Sequence, residues 1–120
     1  MISSFSSDNE RVLITVHDAF VSPRFDMSFE IIVAEKGPGN DVDAIDKKYF
    51  LLSEPSTEEL VRTIQNEGVH AVICGGIEDE HYQYLTWKKI KVYCNVIGPF
   101  DKVLEAWASG RLSEDMIFPG

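Results

Sequence analysis

The 120-residue chain carries 20 acidic against 11 basic residues, and its net charge of −9 argues against nucleic acid and anionic membranes as partners. A hydrophobic fraction of 44% suits one ordinary domain with one core, and no apolar run is long enough to span a membrane. The N-terminal sequence lacks the basic start and apolar core of a signal peptide, and two cysteines are too few for a disulfide framework. A cytoplasmic protein with reduced thiols is therefore expected.

The first half of the chain has the pattern of three strands joined by turns. Residues 1–10 are Ser-rich and acidic and are predicted to be a mobile extension. The β-branched, apolar segment 11–16 predicts a central strand, and a loop around Pro23 separates it from a second strand at 28–34. A turn rich in glycine and proline then leads to a third strand within 42–53.

The second half alternates helices with strands. Ser56 and Glu59 form a capping box for a helix that Gly68 ends. Segment 71–74 is apolar at every position, which is typical of a parallel strand buried on both faces. The remaining elements are a helix at 78–87, a strand at 90–97 whose polar face suits a sheet edge, and a helix at 99–109. This alternation predicts a parallel α/β unit.

Reactive side chains stand where two of these strands end. His17 ends the first strand, and Cys74 leads into Gly75-Gly76 at the end of the fourth. In open α/β sheets, ligands bind beyond the carboxyl ends of the parallel strands. His81, in the first turn of the second helix, is expected near the same edge. The sequence therefore places its candidate ligand site there.

The cysteines and histidines at this edge have two interpretations. Imidazole and thiolate together suit a soft metal ion or an iron–sulfur fragment. The alternative for Cys74 and Cys94 is that they are buried free cysteines acting as small hydrophobes, because no CxxC or similar ligand spacing is present. His17 and His81 could likewise be plain surface residues.

The polar backbone and loop groups are also open to two interpretations. Gly75-Gly76 could bind an anion on backbone amides, or could simply be a tight turn from strand to helix. Acidic residues at 78–80 repel a phosphate there, and no P-loop or GxGxxG motif is present. Arg24, next to Phe25, could clamp a carboxylate or the edge of an anionic cluster, or be an exposed loop arginine.

The sequence contains no recognisable catalytic set. It has no nucleophile elbow with a Ser-His-Asp constellation, no HExxH and no paired carboxylates on neighbouring strands, so a binding protein is favoured over an enzyme. The alternative function is a regulatory or scaffold domain that acts through protein–protein contacts. Trp87 and Trp107 are interpreted as core or dimer-contact residues, and both a monomer and a homodimer stay open.

Five motifs, in order and spacing, resemble one known family. They are VSPRF at 21–25, SFEIIVAE at 28–35, HAVICGGI at 70–77, KIKVYCNVIG at 89–98 and VLEAWASGRL at 103–112. The chain is similar in these motifs to the dinitrogenase iron–molybdenum cofactor-binding proteins, which include NifX- and NafY-type accessory proteins and the C-terminal domain of NifB. The resemblance covers one domain at 11–112 and leaves 113–120 as a C-terminal tail.

The resemblance implies a ribonuclease H-like, three-layer α/β/α fold with a five-stranded mixed sheet, of order 3-2-1-4-5 and with strand two antiparallel. It implies a non-catalytic protein of nitrogen-fixation type that binds or carries an iron–sulfur or iron–molybdenum cluster, or its precursor, in metallocofactor assembly, with cofactor-assembly proteins as partners. In the family, the loop after strand one and the glycine turn after strand four line the site. Together with the residues named above, this gives candidate cofactor-binding residues His17, Ser22, Arg24, Phe25, Gly75, Gly76 and Ile77, and candidate metal ligands Cys74 and His81.

Two departures from the family pattern add negative charge at this site. Asp26 stands where a glycine usually follows the loop phenylalanine, and Glu78-Asp79 stand where Gly-Pro is usual. Both would face an approaching anionic cluster.

Overall fold

The sheet and helices are defined in a computed structural model that describes residues 9–36 and 45–119. Most of the predicted extension at 1–10 and part of the turn after the second strand lie outside these ranges. The strands are β1 (Glu10–His17), β2 (Phe20–Val21), β3 (Glu30–Lys36), β4 (Ile45–Leu51), β5 (Ala71–Ile73) and β6 (Lys91–Tyr93). The helices are α1 (Thr57–Asn66), α2 (Asp79–Trp87) and α3 (Phe100–Ala108), and a 3-10 turn covers Phe25–Met27.

The sheet is mixed, with β1 at its centre as the sequence predicted. Its order is β4-β3-β1-β5-β6, with β2 paired to β1. β3 runs antiparallel to β1 and to β4, whereas β5 runs parallel to β1 and to β6. β6 therefore occupies the expected edge position.

The prediction of five strands in the order 3-2-1-4-5 needs correction, because the described residues form a sheet of six strands. The additional strand is β2, which pairs antiparallel with the end of β1 through Val16 and Val21. It forms because the chain folds straight back after β1, a turn that the loop-like composition around Pro23 conceals. When this two-residue strand is left out of the numbering, the other five are neighbours in the predicted order.

Helices cover both faces of the sheet, which makes three layers. On one face, α3 packs Val103, Leu104 and Trp107 against β1 and its neighbours. On the other face, α1 packs Leu60 and Ile64 there, alongside the buried part of α2. Burial of both faces explains why the central strands are apolar at consecutive positions.

Local signals set the ends of the first helix. The side chain of Ser56 accepts a hydrogen bond from the Glu59 amide at 3.2 Å, as the capping box predicts. Gly68 has a φ of +63°, the left-handed conformation expected after a helix end.

The predicted strand at 90–97 is too long, because β6 ends at Tyr93. Asn95 has a φ of +58°, which turns the backbone out of the ladder. As a result Cys94 packs in the core beneath α1 and α2, whereas Val96 packs in the core beneath α3.

Residues 113–119, the C-terminal segment, pack against the turn that follows β6. The Ile97 amide donates to the Met116 carbonyl at 3.0 Å, and the Phe118 amide donates to the Ile97 carbonyl at 2.7 Å. Gly98 has a φ of +140°, and a Cβ on it would lie 2.6 Å from the Phe118 carbonyl oxygen. The segment that the sequence left as an aperiodic tail is thus fitted closely to the domain.

Within the described ranges, no helix is both long and apolar enough to cross a bilayer.

Phe118 and Ile117 test this packing as a matched pair. Phe118 is partly buried against the α3-side core, whereas Ile117 is 70% exposed. Phe118→Ala is expected to lower the free energy of unfolding by about 1–2 kcal/mol. This is less than the cost of removing a fully buried phenylalanine, because the Phe118 side chain is only partly buried. Ile117→Ala should stay within about 0.5 kcal/mol of the parent. Urea unfolding measures both, and equal effects would contradict the described packing.

Candidate functional site

The carboxyl ends of β1, β5 and β6 lie at the same end of the sheet, and this end with its connecting loops is called the rim. The loop at 18–28, the turn at 74–78 and the turn at 94–99 follow these strands. Backbone hydrogen bonds join them: the Val21 amide donates to the Gly98 carbonyl at 2.9 Å, and the Phe100 amide donates to the Ala19 carbonyl at 3.0 Å. The structure thus brings the predicted loops together.

The loop at 22–28 and the glycine turn at 75–77 are bonded directly to each other. The Gly76 amide donates to the Pro23 carbonyl at 2.7 Å, and the Phe25 amide donates to the Gly76 carbonyl at 2.8 Å. A Cβ on Gly75 would lie 2.4 Å from the carbonyl oxygens of both Ser22 and Pro23. Of the two interpretations of Gly75-Gly76, this geometry matches the tight turn, and the Gly76 amide is already occupied.

Two serines fix the inside of this loop. Ser22 and Ser28 are both buried, and their hydroxyl oxygens lie 2.9 Å apart. The Ser28 hydroxyl also lies 2.6 Å from the Arg24 carbonyl oxygen. Ser22 therefore sits within the loop framework, and Ser28, which sequence reasoning did not single out, is its partner.

Arg24 and Asp26 form an ion pair on the outside of the loop. The guanidinium Nε lies 3.1 Å from Asp26 Oδ1, and the Arg24 side chain is 58% exposed. The hydrogen bond from Arg24 lowers the pKa of Asp26, and Asp26 in turn raises the pKa of Arg24. Glu78 adds a weaker attraction to the same guanidinium. Arg24 thus faces solvent with part of its charge compensated.

The aromatic member of the loop is buried and reaches α2. Phe25 is fully buried in the core beneath α1 and α2, and its ring centroid lies 6.0 Å from that of His81. His81 is half-buried at the start of α2. Phe25 is a packing residue that links the loop to His81.

His17 and Ile77 lie at the margins of this arrangement. His17 is exposed, and its Nε2 lies 3.7 Å from an Asp18 carboxylate oxygen. Ile77 is half-buried and lines a separate cavity beside β6. The central group of predicted residues is therefore Ser22, Arg24, Phe25, Gly75, Gly76 and His81.

Cys74 lies beneath the rim, not on it. It is fully buried, and burial together with the nearby Cys94 raises the pKa of its thiol well above the ordinary value. Both cysteines are free thiols. In the described part of the chain, no three His, Cys, Asp or Glu side chains gather closely enough to hold a metal ion. The joint role of Cys74 and His81 as metal ligands stays a prediction.

A cavity of about 330 Å³ opens on the β6 side of the rim. Its lining residues are Ile77, Asp79, Tyr82, Cys94, Asn95 and Glu114. The Tyr82 hydroxyl donates to Glu114 at 2.9 Å, and this bond raises the pKa of Tyr82. Sequence reasoning missed Glu114 because the C-terminal segment has no periodicity that would place it.

Comparison with known families and structures finds matches over most of the chain. Residues 10–110 match the family model described as dinitrogenase iron-molybdenum cofactor. A search of curated proteins finds no match.

Solved structures support the fold. PH0822 is 25% identical, with a TM-score of 0.73 and coverage of 88% of this chain and 94% of that one. MJ0327 from Methanocaldococcus jannaschii, whose description names dinitrogenase, is 24% identical, with a TM-score of 0.69. The match covers 88% of this chain and 93% of MJ0327. The orange protein of Desulfovibrio gigas is 18% identical, with a TM-score of 0.67 and coverage of 91% and 95%.

Gly75→Ala and Gly76→Ala test the contact between loop and turn. A Cβ at Gly75 meets two backbone oxygens at 2.4 Å, whereas one at Gly76 meets the Pro23 oxygen only at 3.4 Å. Gly75→Ala is expected to lower the free energy of unfolding by about 1–3 kcal/mol, because backbone must move, and Gly76→Ala by less than about 1 kcal/mol. Denaturant unfolding measures both, and the reverse ranking would rule out the described contact.

Thiol reactivity tests the burial of the cysteines. In native protein at neutral pH, iodoacetamide should modify Cys94 slowly and Cys74 more slowly still, because burial raises the pKa of both thiols. In guanidinium both should react freely. Because the folded state favours protonated thiols, stability should fall as the pH rises above about 8.5, the ordinary thiol pKa. Native modification of Cys74 at the denatured rate would contradict this description.

Proposed function

Because the chain belongs to the dinitrogenase iron-molybdenum cofactor family, we propose that it binds and carries an iron–sulfur or iron–molybdenum cluster, or a precursor, during metallocofactor assembly. The family match over residues 10–110 is the observation that carries this proposal. The cluster is cargo that the protein holds and releases unchanged. In this proposal the protein works in the cytoplasm and exchanges the cluster with assembly proteins.

The exposed side chains of the rim are the proposed contacts for the cluster. Arg24 offers a guanidinium that can donate to sulfide or other anionic ligands of a cluster. His81, half-buried at the start of α2 against Phe25, offers an imidazole, and the exposed His17 offers a second one at the margin. Met27 is 59% exposed in the same loop and adds a thioether, a soft donor.

The buried candidates act behind these contacts. Ser22, Phe25, Gly75 and Gly76 hold the loop that carries Arg24, and Phe25 packs against His81. Direct bonding of Cys74 to a cluster would require the glycine turn to open, because Cys74 is fully buried.

The acidic groups at the rim favour release. Asp26 pairs with Arg24, and Glu78, which directly precedes α2, attracts the same guanidinium. Each of these carboxylates repels an anionic cluster and so lowers its affinity. A carrier that must pass its cargo to another protein benefits from such limited affinity.

Anaerobic uptake of a defined anion tests this assignment. The probe is tetrathiomolybdate, a dianionic molybdenum–sulfur species, and the readouts are its charge-transfer absorption and molybdenum per chain. Arg24→Ala should weaken binding and Asp26→Asn should strengthen it, each by about two- to fivefold, because the charges are exposed and screened. Arg62→Ala is the matched control, since Arg62 is 59% exposed and also pairs with a neighbouring carboxylate.

The outcomes separate the function from the site. No uptake of tetrathiomolybdate, or of an iron–sulfur cluster reconstituted from iron and sulfide, would contradict the carrier function. Uptake that Arg24→Ala and Arg62→Ala leave equally unchanged would contradict the assigned contacts alone.

A regulatory or scaffold role is the second candidate, and one observation favours it. Trp87 is 73% exposed at the end of α2, with the Tyr84 ring 6.2 Å away, whereas Trp107 is buried in the core. An exposed tryptophan beside a second aromatic ring suits a protein contact. Sedimentation velocity and affinity capture test this role, and a strict monomer that retains no partner would count against it.

A further inference from the structure

A second cavity, of about 220 Å³, lies between the C-terminal ends of α1 and α2 and is called the α1–α2 groove. Both helices lead back to the amino ends of β5 and β6, so the groove lies at the opposite end of the sheet from the rim. The core residues Ile64, Val69 and Leu85 line it from inside, whereas Tyr84 and Lys88 line it from the exposed side of α2. No residue of the cluster proposal is part of this groove.

An exposed aromatic surface adjoins the groove. Trp87 is 73% exposed, and its ring centroid lies 6.2 Å from that of the groove residue Tyr84. The Nζ of Lys88 lies 5.3 Å from the centroid of the Trp87 ring, so the cation and the ring belong to one surface. Tryptophan and tyrosine are enriched among the residues that dominate protein interfaces. The groove and Trp87 therefore suit a bulky apolar side chain from a partner.

The lysines at this surface lack carboxylate partners, although the chain has 20 acidic residues. Other basic side chains do pair with the chain's own carboxylates, namely those of Arg11, Arg24, Lys36, Lys48 and Arg62. Lys88 and Lys89 are exposed, and neither forms an ion pair with any residue of 9–36 or 45–119. The charge beside the groove is thus left for carboxylates from outside the chain.

We propose that the α1–α2 groove binds an acidic segment of another protein. The segment places one bulky apolar side chain in the groove and a second against Trp87, and its carboxylates lie beside Lys88 and Lys89. The proposal rests on the second candidate function, the regulatory or scaffold role, to which it adds a binding site and a partner chemistry. It does not depend on cluster binding at the rim.

Charge selects an acidic peptide over the other possible occupants. A nucleic acid or an anionic membrane needs a wide basic surface, which a chain of net charge −9 does not offer. A second copy carries the same net charge and is repelled as a whole. The groove is basic only at its far end, because the exposed Glu80 lies one turn before Tyr84 on α2. The carboxylates of the partner therefore lie at the Lys88 end.

Tryptophan fluorescence of the intact chain tests the site, because Trp87 is exposed whereas Trp107, the other tryptophan, is buried. The probe is the synthetic peptide acetyl-EEDFLDEE-amide, which contains no tryptophan, at low salt. Its binding should shift the Trp87 emission to shorter wavelength in a saturable way, because the ring leaves water.

Two charge reversals locate the binding. Lys88→Glu should weaken peptide binding about fivefold or more, because it replaces an attraction by a repulsion. Lys91→Glu is the matched control, with the same change in net charge. Lys91 is also exposed, but its Nζ lies 5.5 Å from the centroid of the Tyr93 ring, which packs against the α3-side core. Lys91→Glu should therefore stay within about twofold of the parent.

Two control peptides separate the apolar contact from the charge. Acetyl-EEDAADEE-amide lacks the bulky side chains and acetyl-KKKFLKKK-amide reverses the charge, and neither should shift the emission at the same concentration. No saturable shift with the acidic peptide, or an equal shift with either control peptide, would overturn the proposal. Equal weakening by Lys88→Glu and Lys91→Glu would overturn it as well.

Further measurements separate this site from the other proposals. Arg24→Ala should bind the peptide like the parent, so failure of the cluster proposal would leave this result unchanged. Self-association in sedimentation that Lys88→Glu abolishes would assign the groove to a second copy and overturn the proposal. A partner that affinity capture retains equally on the parent and on Lys88→Glu would overturn this site and leave the regulatory role standing.

Discussion

The close contact between Pro23 and the glycine turn fixes the rim on which the candidate functional residues lie. The turn approaches the loop so closely that Gly75 has no room for a Cβ, and the Gly76 amide and carbonyl both bond to the loop. The contact joins segments that are more than 50 residues apart, and it orients Arg24 outward and Phe25 inward. Without it, the loop at 22–28 would lose both of its backbone hydrogen bonds to the glycine turn.

The rim has a charged outer surface and a buried apolar layer beneath it, and the two differ in the chemistry they allow. The outer surface carries a cation and imidazoles amid carboxylates, and this combination suits reversible contact with an anionic, sulfur-containing species. Beneath it, two thiols lie in an apolar core, where burial raises their pKa and disfavours the thiolate. The C-terminal segment contacts both faces of the sheet, because Glu114 lines the cavity beside Cys94 while Phe118 packs against the core beneath α3.

Sequence patterns correctly predicted the features that depend on residues close together in the chain. The capping side chain of Ser56 and the left-handed Gly68 are set by neighbours within a few residues. The helical spacing of Leu60 and Ile64 likewise marks the face that α1 buries. The two-sided burial of β5 followed from its uninterrupted apolar run. The family motifs supplied the arrangement of the sheet, apart from β2.

Other features depend on contacts that no local pattern encodes. Position 75 requires glycine because Pro23 packs against it, and position 98 requires glycine because Phe118 does. Neither contact could be predicted from the sequence, because the partners are far apart along the chain. β6 is short because Asn95 adopts a left-handed conformation, and alternation in the sequence continues past that point. Trp87 lies on a helix whose pattern indicated an apolar face, but tertiary packing leaves it exposed. Exposure of each rim residue likewise follows from packing across the sheet.

Mapping of the bound anion by NMR is the most direct test of the central claim that the rim holds the cargo. Uniformly ¹⁵N-labelled protein is titrated without oxygen with tetrathiomolybdate, and amide shifts are followed residue by residue. We expect saturable shifts concentrated in the loop at 22–28 and at the start of α2 around His81. Saturable shifts centred on the α1 face or around Trp87, with the rim unchanged, would contradict it.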